Sequence, residues 1–157
     1  MCTLRDVYSF VDIFPSPLLP IVRPNLKTCT IIVNADYNTE RFSHCLAILL
    51  TPRSSSAYHF DSYGIVPLVP SIQSFIRQNC TTCAYNWKQL QCLTSDFCGQ
   101  HCRLSSSTWT GVTPFSNSSQ LFAVRGNADR HVYQMFESEF GATKPRGGWG
   151  QCCRICI

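Results

Sequence analysis

At 157 residues, 45% of them hydrophobic, the chain can bury one core without disulfide staples and is too apolar to be a disordered or purely solvating segment. Thirteen basic against nine acidic residues give a formal net charge of +4, but the cations are scattered, with Lys144 and Arg146 the nearest approach to a cluster, so the nucleic-acid footprint is weak. No apolar run has the length of a membrane span, and Met1 to Asp6 lacks the basic-then-apolar layout of a signal peptide. The expected compartment is therefore the cytosol or nucleus, where the eleven cysteines, an odd count, would remain free thiols.

The first twenty-eight residues carry Pro15, Pro17, Pro20 and Pro24 and are expected to form an extended arm, ordered by docking rather than by its own hydrogen bonds. Cys29 to Val33 is a β-branched run ending at Asn34-Ala35-Asp36, a buried strand and a turn. His44 to Leu50 predicts a second strand and Ala57 to Asp61 a third, joined by a hairpin-length connection at Pro52 to Ser56. From Val69 to Asn79, a proline suited to the first turn and the stripe Val69, Ile72, Phe75, Ile76 predict an amphipathic helix packed on the sheet. Tyr85 to Gln91 reads as a further strand, and Asn127 as the cap of a helix reaching Phe140, with Val132, Met135, Phe136 and Phe140 inward. The sum is an α+β domain over residues 1–141. The tail, 142–157, holds Gly147, Gly148, Gly150 and three cysteines and is expected to be poorly ordered.

Four residues along this framework have complementary chemistry. Acyl transfer through a thiol needs a nucleophile, a base, a carboxylate to orient the base and an amide donor for the oxyanion. Cys98, followed by Gly99, suits a nucleophile at the turn into a helix, where backbone N–H groups and the positive dipole end favour an anion. His44 at the start of one strand and Asp61 at the end of its hairpin neighbour would meet at one sheet edge. Gln91, seven residues before Cys98, would offer its amide beside the N–H of Cys98. Singly each is ordinary: Asp61 before Ser62-Tyr63-Gly64 suits a turn, and a lone Cys is most often a small buried hydrophobe.

Taken together, the segment from His44 to Gly64, with Pro52-Arg53-Ser54 and Phe60-Asp61-Ser62-Tyr63-Gly64, and then Gln91, Ser95, Cys98-Gly99 and Cys102, resembles the adenovirus-type cysteine endopeptidases, or adenains. Within that group it is most similar to proteases of Maverick/Polinton elements and adintovirus-like viruses, through Ile32 to Asp36 and Asn127-Ala128-Asp129. The resemblance covers roughly residues 7–141 and implies a papain-like fold in permuted order (adenain/Ulp-like), a central mixed sheet flanked by helices. It implies Cys98 as nucleophile, His44 as base and then acid, Asp61 as orienter and Gln91 in the oxyanion hole, with no cofactor or metal. The implied substrate is a polypeptide cut after a Gly-containing motif, such as a viral or transposon capsid precursor, handled by a monomer inside the cell or virion. An activating peptide or nucleic acid is left open.

The chain departs from the pattern at Cys45, where the family has an aromatic residue after the His. It departs again at Arg103 to Thr110, whose weak helix formers and missing apolar stripe predict a short or distorted helix after Cys98. Three other readings stand beside the protease: a catalytically decayed interaction protein on the same fold, a SUMO-type deconjugating protease releasing Gly-Gly tails, and a zinc module. The last would use the C-x-x-C pairs Cys80/Cys83 and Cys153/Cys156.

Overall fold

Alternation at the strand period splits the core in two. The computed structural model describes residues 9–21, 28–35, 44–109 and 128–140. Its sheet runs β1 (Ser9–Pro15), β2 (Cys29–Asn34), β3 (Cys45–Thr51), β4 (Ser56–Asp61) and β5 (Thr82–Tyr85) in that spatial order. The central pairings β2–β3 and β3–β4 are antiparallel, and the outer ones, β1–β2 and β4–β5, are parallel. One face presents Ile32, Cys45, Ala47, Leu49, Tyr58 and Phe60; the other presents Ile31, Val33, Leu46, Ile48, Leu50 and Ala57. Both sets are buried because helices cover both faces.

On the second face lies α1 (Pro70–Asn79), which buries Ile72, Phe75 and Ile76 with Val69 packed alongside, as its stripe predicts. Each such side chain contributes about 1.5–3 kcal/mol by leaving water. The first face is covered by α2 (Cys98–Thr108) and α3 (Ala128–Phe140), through Cys98, Cys102, Leu104, Val132 and Phe136, with Trp109 beyond α2 and Met135 packed at the edge. Asn127, the side chain of Phe140 and the tail 142–157 lie outside the described residues. No described helix is long and apolar enough to cross a membrane.

Three expectations need correction. The proline-rich arm does not rely on docking alone, because Ser9–Pro15 hydrogen-bonds to β2 as a parallel edge strand, with an irregularity between Phe10 and Ile13. Proline is tolerated there because it falls at the last pair, Pro15 opposite Asn34, on an edge. The strand expected at Tyr85 to Gln91 instead ends at Tyr85 and lies mostly before it. The cause is Asn86: its Oδ1 accepts the Asp61 N–H at 2.8 Å and its Nδ2 donates to the Asp61 carbonyl, so a side chain takes the bonds a continuing strand would have made.

The helix after Cys98 is neither short nor broken, running eleven residues. Two of its serines bond to the helix's own carbonyls, Ser106 Oγ donating to that of Cys102 at 2.7 Å and Ser107 Oγ to that of Leu104 at 2.9 Å. Its buried residues combine the small Cys98, Cys102 and Ser105 with Leu104, Gln100 and His101. Packing against β3 replaces the propensity the segment lacks.

Candidate active site

The hairpin β3–β4 determines where the first pair of polar side chains meets. Leu46 pairs with Asp61, so His44, two residues before Leu46, emerges beside the Asp61 carboxylate. His44 Nε2 and Asp61 Oδ1 are 2.9 Å apart. The same carboxylate oxygen accepts the Tyr63 N–H at 2.8 Å, and the Asp61 carbonyl accepts the Gly64 N–H at 2.8 Å. Asp61 is thus both the turn-former and the partner of the imidazole. Gly64 completes the turn at φ +72°, a conformation that suits glycine, and an added Cβ would lie 2.8 Å from the Lys88 carbonyl carbon.

The thiol arrives from the opposite layer. Cys98, 6% exposed, opens α2, and its Sγ accepts the backbone N–H of Cys45 at 3.3 Å. Cys102, one turn later, donates its thiol to the Cys45 carbonyl at 3.2 Å. A hydrogen bond from the Cys45 thiol, outweighing the effect of burial, and then the bond to His44 and its positive charge pull the Cys98 thiol down to about 4. Burial pulls His44 the other way, but hydrogen bonds to Asp61 and Cys98 win and raise it to about 9. Between those values the stable form is a thiolate–imidazolium pair, Cys98⁻ and His44⁺, leaning on the Asp61 carboxylate.

His44, Asp61 and Cys98 are therefore brought together. Gln91 is placed differently from expectation: it lies in the loop after β5, buried to 1% exposure, and its amide is already engaged. Ser62 Oγ donates to its Oε1 at 2.5 Å, while its Nε2 donates to the Ser95 carbonyl and, at 3.3 Å, to Tyr63 Oη. The link to the other three runs through Tyr63, whose ring stacks on His44 with centroids 4.8 Å apart. Burial and the surrounding negative charges, that of Cys98 foremost, keep the Tyr63 phenol above its ordinary range and neutral.

Tyr63, Ser62 and Asn86 are the site residues that sequence reasoning missed. The run Ser62-Tyr63-Gly64 was visible as a turn, but an aromatic ring two residues beyond an acid carries no signal that it will stack on a distant His. Nothing local marks Asn86. As for the cysteine pairs, Cys80 is buried at the end of α1 and Cys83 exposed on β5, while Cys153 and Cys156 lie outside the described residues. Among the described residues no group of three His, Cys, Asp or Glu could hold a metal ion.

A mixed five-stranded sheet with α1 on one face and α2 and α3 on the other is an α+β architecture with the papain/Ulp-like fold. Two crystal structures of the ASFV pS273R protease share it. The selenomethionine form aligns with a TM-score of 0.51 at 16% identity, covering 69% of this chain and 42% of that one. The other aligns at 0.50 and 18%, covering 69% and 41%. The chain thus spans less than half the length of these neighbours, and at such identities the likeness establishes the fold. No protein-family model and no curated protein sequence matches the chain.

Proposed function

We propose that the protein is a cysteine endopeptidase in which Cys98 is the nucleophile, His44 the general base and acid, Asp61 the orienting carboxylate and Gln91 an oxyanion donor. The observation that carries this reading is the convergence of Cys98 with the hydrogen-bonded pair His44–Asp61, with the thiol shifted down and the imidazole shifted up, each in part by the other. A structural histidine or a buried inert cysteine has no need of both shifts.

In the proposed cycle the Cys98 thiolate attacks the scissile carbonyl carbon, and the carbonyl oxygen becomes an oxyanion. The backbone N–H of Cys98, at the start of α2, and Gln91 Nε2 receive it. Gln91 has two N–H groups, and the one held by Tyr63 at 3.3 Å is the one a stronger anionic acceptor would draw away. His44 Nδ1–H then protonates the leaving amine as the tetrahedral species collapses to a thioester. In the second half His44 takes a proton from water, which attacks the thioester and frees Cys98. Tyr63 stacking and the Asp61 bond keep the imidazole in plane for both transfers.

A polypeptide is the substrate class, and a Gly-containing cleavage motif in a capsid precursor of a virus or Maverick/Polinton-type element is the particular reading, taken from the adenain resemblance. Gly99, though buried, leaves room beside the nucleophile, since a Cβ there would meet nothing within 4 Å among the described residues. The test is turnover of fluorogenic Gly-containing peptides by wild type, Cys98→Ala and His44→Ala under reducing conditions. Loss of turnover in both variants is expected; equal rates in all three would end the reading. Release of a ubiquitin-like tail with no cleavage of capsid-type motifs would instead assign a deconjugating protease.

A further inference from the structure

A second buried His–Asp pair lies outside the Cys98–His44–Asp61 chain. His101, wholly buried, sits one turn after Cys98 on α2, and Asp129, 6% exposed, lies in the first turn of α3. Asp129 uses both carboxylate oxygens across element boundaries. Its Oδ1 is 2.9 Å from His101 Nε2, and its Oδ2 accepts the backbone N–H of Cys92 at 3.0 Å. Burial lowers His101 despite the carboxylate beside it, so the ring is neutral and donates its Nε2–H. A carboxylate this deep is costly unless every lone-pair direction it presents is used, and the N-terminal turn of α3 adds its favourable dipole.

The placement of the two bonds matters more than their number. Cys92 directly follows Gln91, and His101 shares a helix with Cys98. Gln91 is held to the β4 side by its N–H on the Ser62 carbonyl at 2.9 Å and by Ser62 Oγ on its Oε1. Asp129 is the clamp on the other side, joining the Gln91–Cys92 backbone to the helix that presents the nucleophile. We propose that Asp129, through His101 and the Cys92 N–H, is a positioning residue that sets the distance between the Gln91 amide and the N-terminus of α2, and so the width of the oxyanion hole. This inference rests on the protease reading above. An oxyanion donor displaced by an ångström loses most of its effect, so a residue that touches no reacting atom controls the rate.

The test uses the full-length protein with Asp129→Ala, Asp129→Asn and each combined with Gln91→Ala. Two reactions of Cys98 are compared: alkylation by iodoacetamide, which needs the thiolate but no oxyanion donor, and peptide turnover, which needs both. Asp129→Ala is expected to lower kcat by about tenfold to a hundredfold with KM and the alkylation rate nearly unchanged. Asp129→Asn keeps an acceptor for the Cys92 N–H and should lose less. In the Gln91→Ala background neither substitution should have much further effect. Parallel losses of alkylation and turnover, or losses that add to that of Gln91→Ala, would overturn the proposal and make the pair a packing device. If Asp129→Ala does not fold, Asp129→Asn is judged by the same criteria. No turnover by the wild type would overturn the protease reading and this inference with it, whereas turnover by the wild type with additive losses overturns the inference alone.

Discussion

Replacing Asp61 by asparagine removes one charge and little volume, and the structure says how far the site should shift. The Asp61 oxygen is 2.9 Å from His44 Nε2, with the two side chains 5% and 22% exposed. At an effective dielectric of about 20, opposite charges at that separation attract by about 6 kcal/mol, an upper limit that desolvation and the remaining amide bond reduce. A carboxylate at this range ordinarily moves a partner by about 1–3 pKa units, or about 1.4–4 kcal/mol. His44 is raised, so its imidazolium persists up to about 9, and the acid proposed for the leaving amine is lost above that. Cys98 is lowered, so the thiolate persists down to about 4 and is lost below it. Wild-type kcat/KM should therefore be bell-shaped between these limits. In Asp61→Asn the alkaline limb should fall by about 1–3 units, and the acid limb should rise as the imidazolium weakens. Asparagine can still accept the Tyr63 N–H, which keeps the turn. The assay is the pH profile of peptide turnover, with iodoacetamide alkylation of Cys98 as an independent reading of the acid limb. A bell whose two limbs stay where the wild type has them would refute the proposed role of Asp61.

Cys45→Ala removes the largest influence lowering Cys98, so the acid limb of alkylation should move upward while the Cys45 backbone N–H still holds the sulfur; an unmoved limb would discard the thiol's part in stabilising the thiolate. Gly64→Ala forces an L side chain into φ +72° against the Lys88 and Gln89 backbone, and urea denaturation should show a loss of about 1–3 kcal/mol. His59 is wholly buried with neither ring nitrogen hydrogen-bonded among the described residues, and burial depresses it from 6.5 to about 4. The unfolded chain therefore binds a proton that the folded chain refuses, and stability present above pH 6.5 is lost as pH falls toward 4. His59→Leu should recover about 2 kcal/mol of the wild type's loss between pH 7 and pH 5, measured by urea unfolding at both. An equal pH dependence in wild type and variant would assign the acid loss to other groups.

The parts of the fold that were legible in the sequence share one property. Cys29 to Val33, His44 to Leu50, Ala57 to Asp61 and the stripe Ile72, Phe75, Ile76 are decided by local periodicity, and the structure follows each within a residue or two. What was not legible depends on partners far along the chain. Nothing near Tyr85 reports that Asn86 will bond to Asp61, twenty-five residues earlier, and end the strand. Nothing near Ser9 reports that β2 offers a free edge. The meeting of His44 and Asp61 followed from hairpin register, which sequence shows well, and Cys98 joined them because a helix start was readable at Gly99. The amide of Gln91 could not be aimed from sequence, because its direction depends on Ser62, Tyr63 and Ser95 together.

The two departures from the adenain pattern, Cys45 and the weak helix from Arg103 onward, lie in the same layer of the structure. Cys45 points to the first face of the sheet, where Cys98, Cys102 and Leu104 of α2 pack against it. A small residue on the strand leaves little for a large apolar stripe on the helix to fill, and small residues on the helix let its backbone come close to β3. That approach is what allows the Cys45 N–H to reach Cys98 Sγ at 3.3 Å and Cys102 Sγ to reach the Cys45 carbonyl at 3.2 Å. Taken singly, a cysteine after the histidine and a serine-rich helix both look like losses of packing. Taken as a pair they exchange apolar volume for two hydrogen bonds that lock the Cys98 helix to the strand that follows His44, one of them made directly to the Cys98 sulfur.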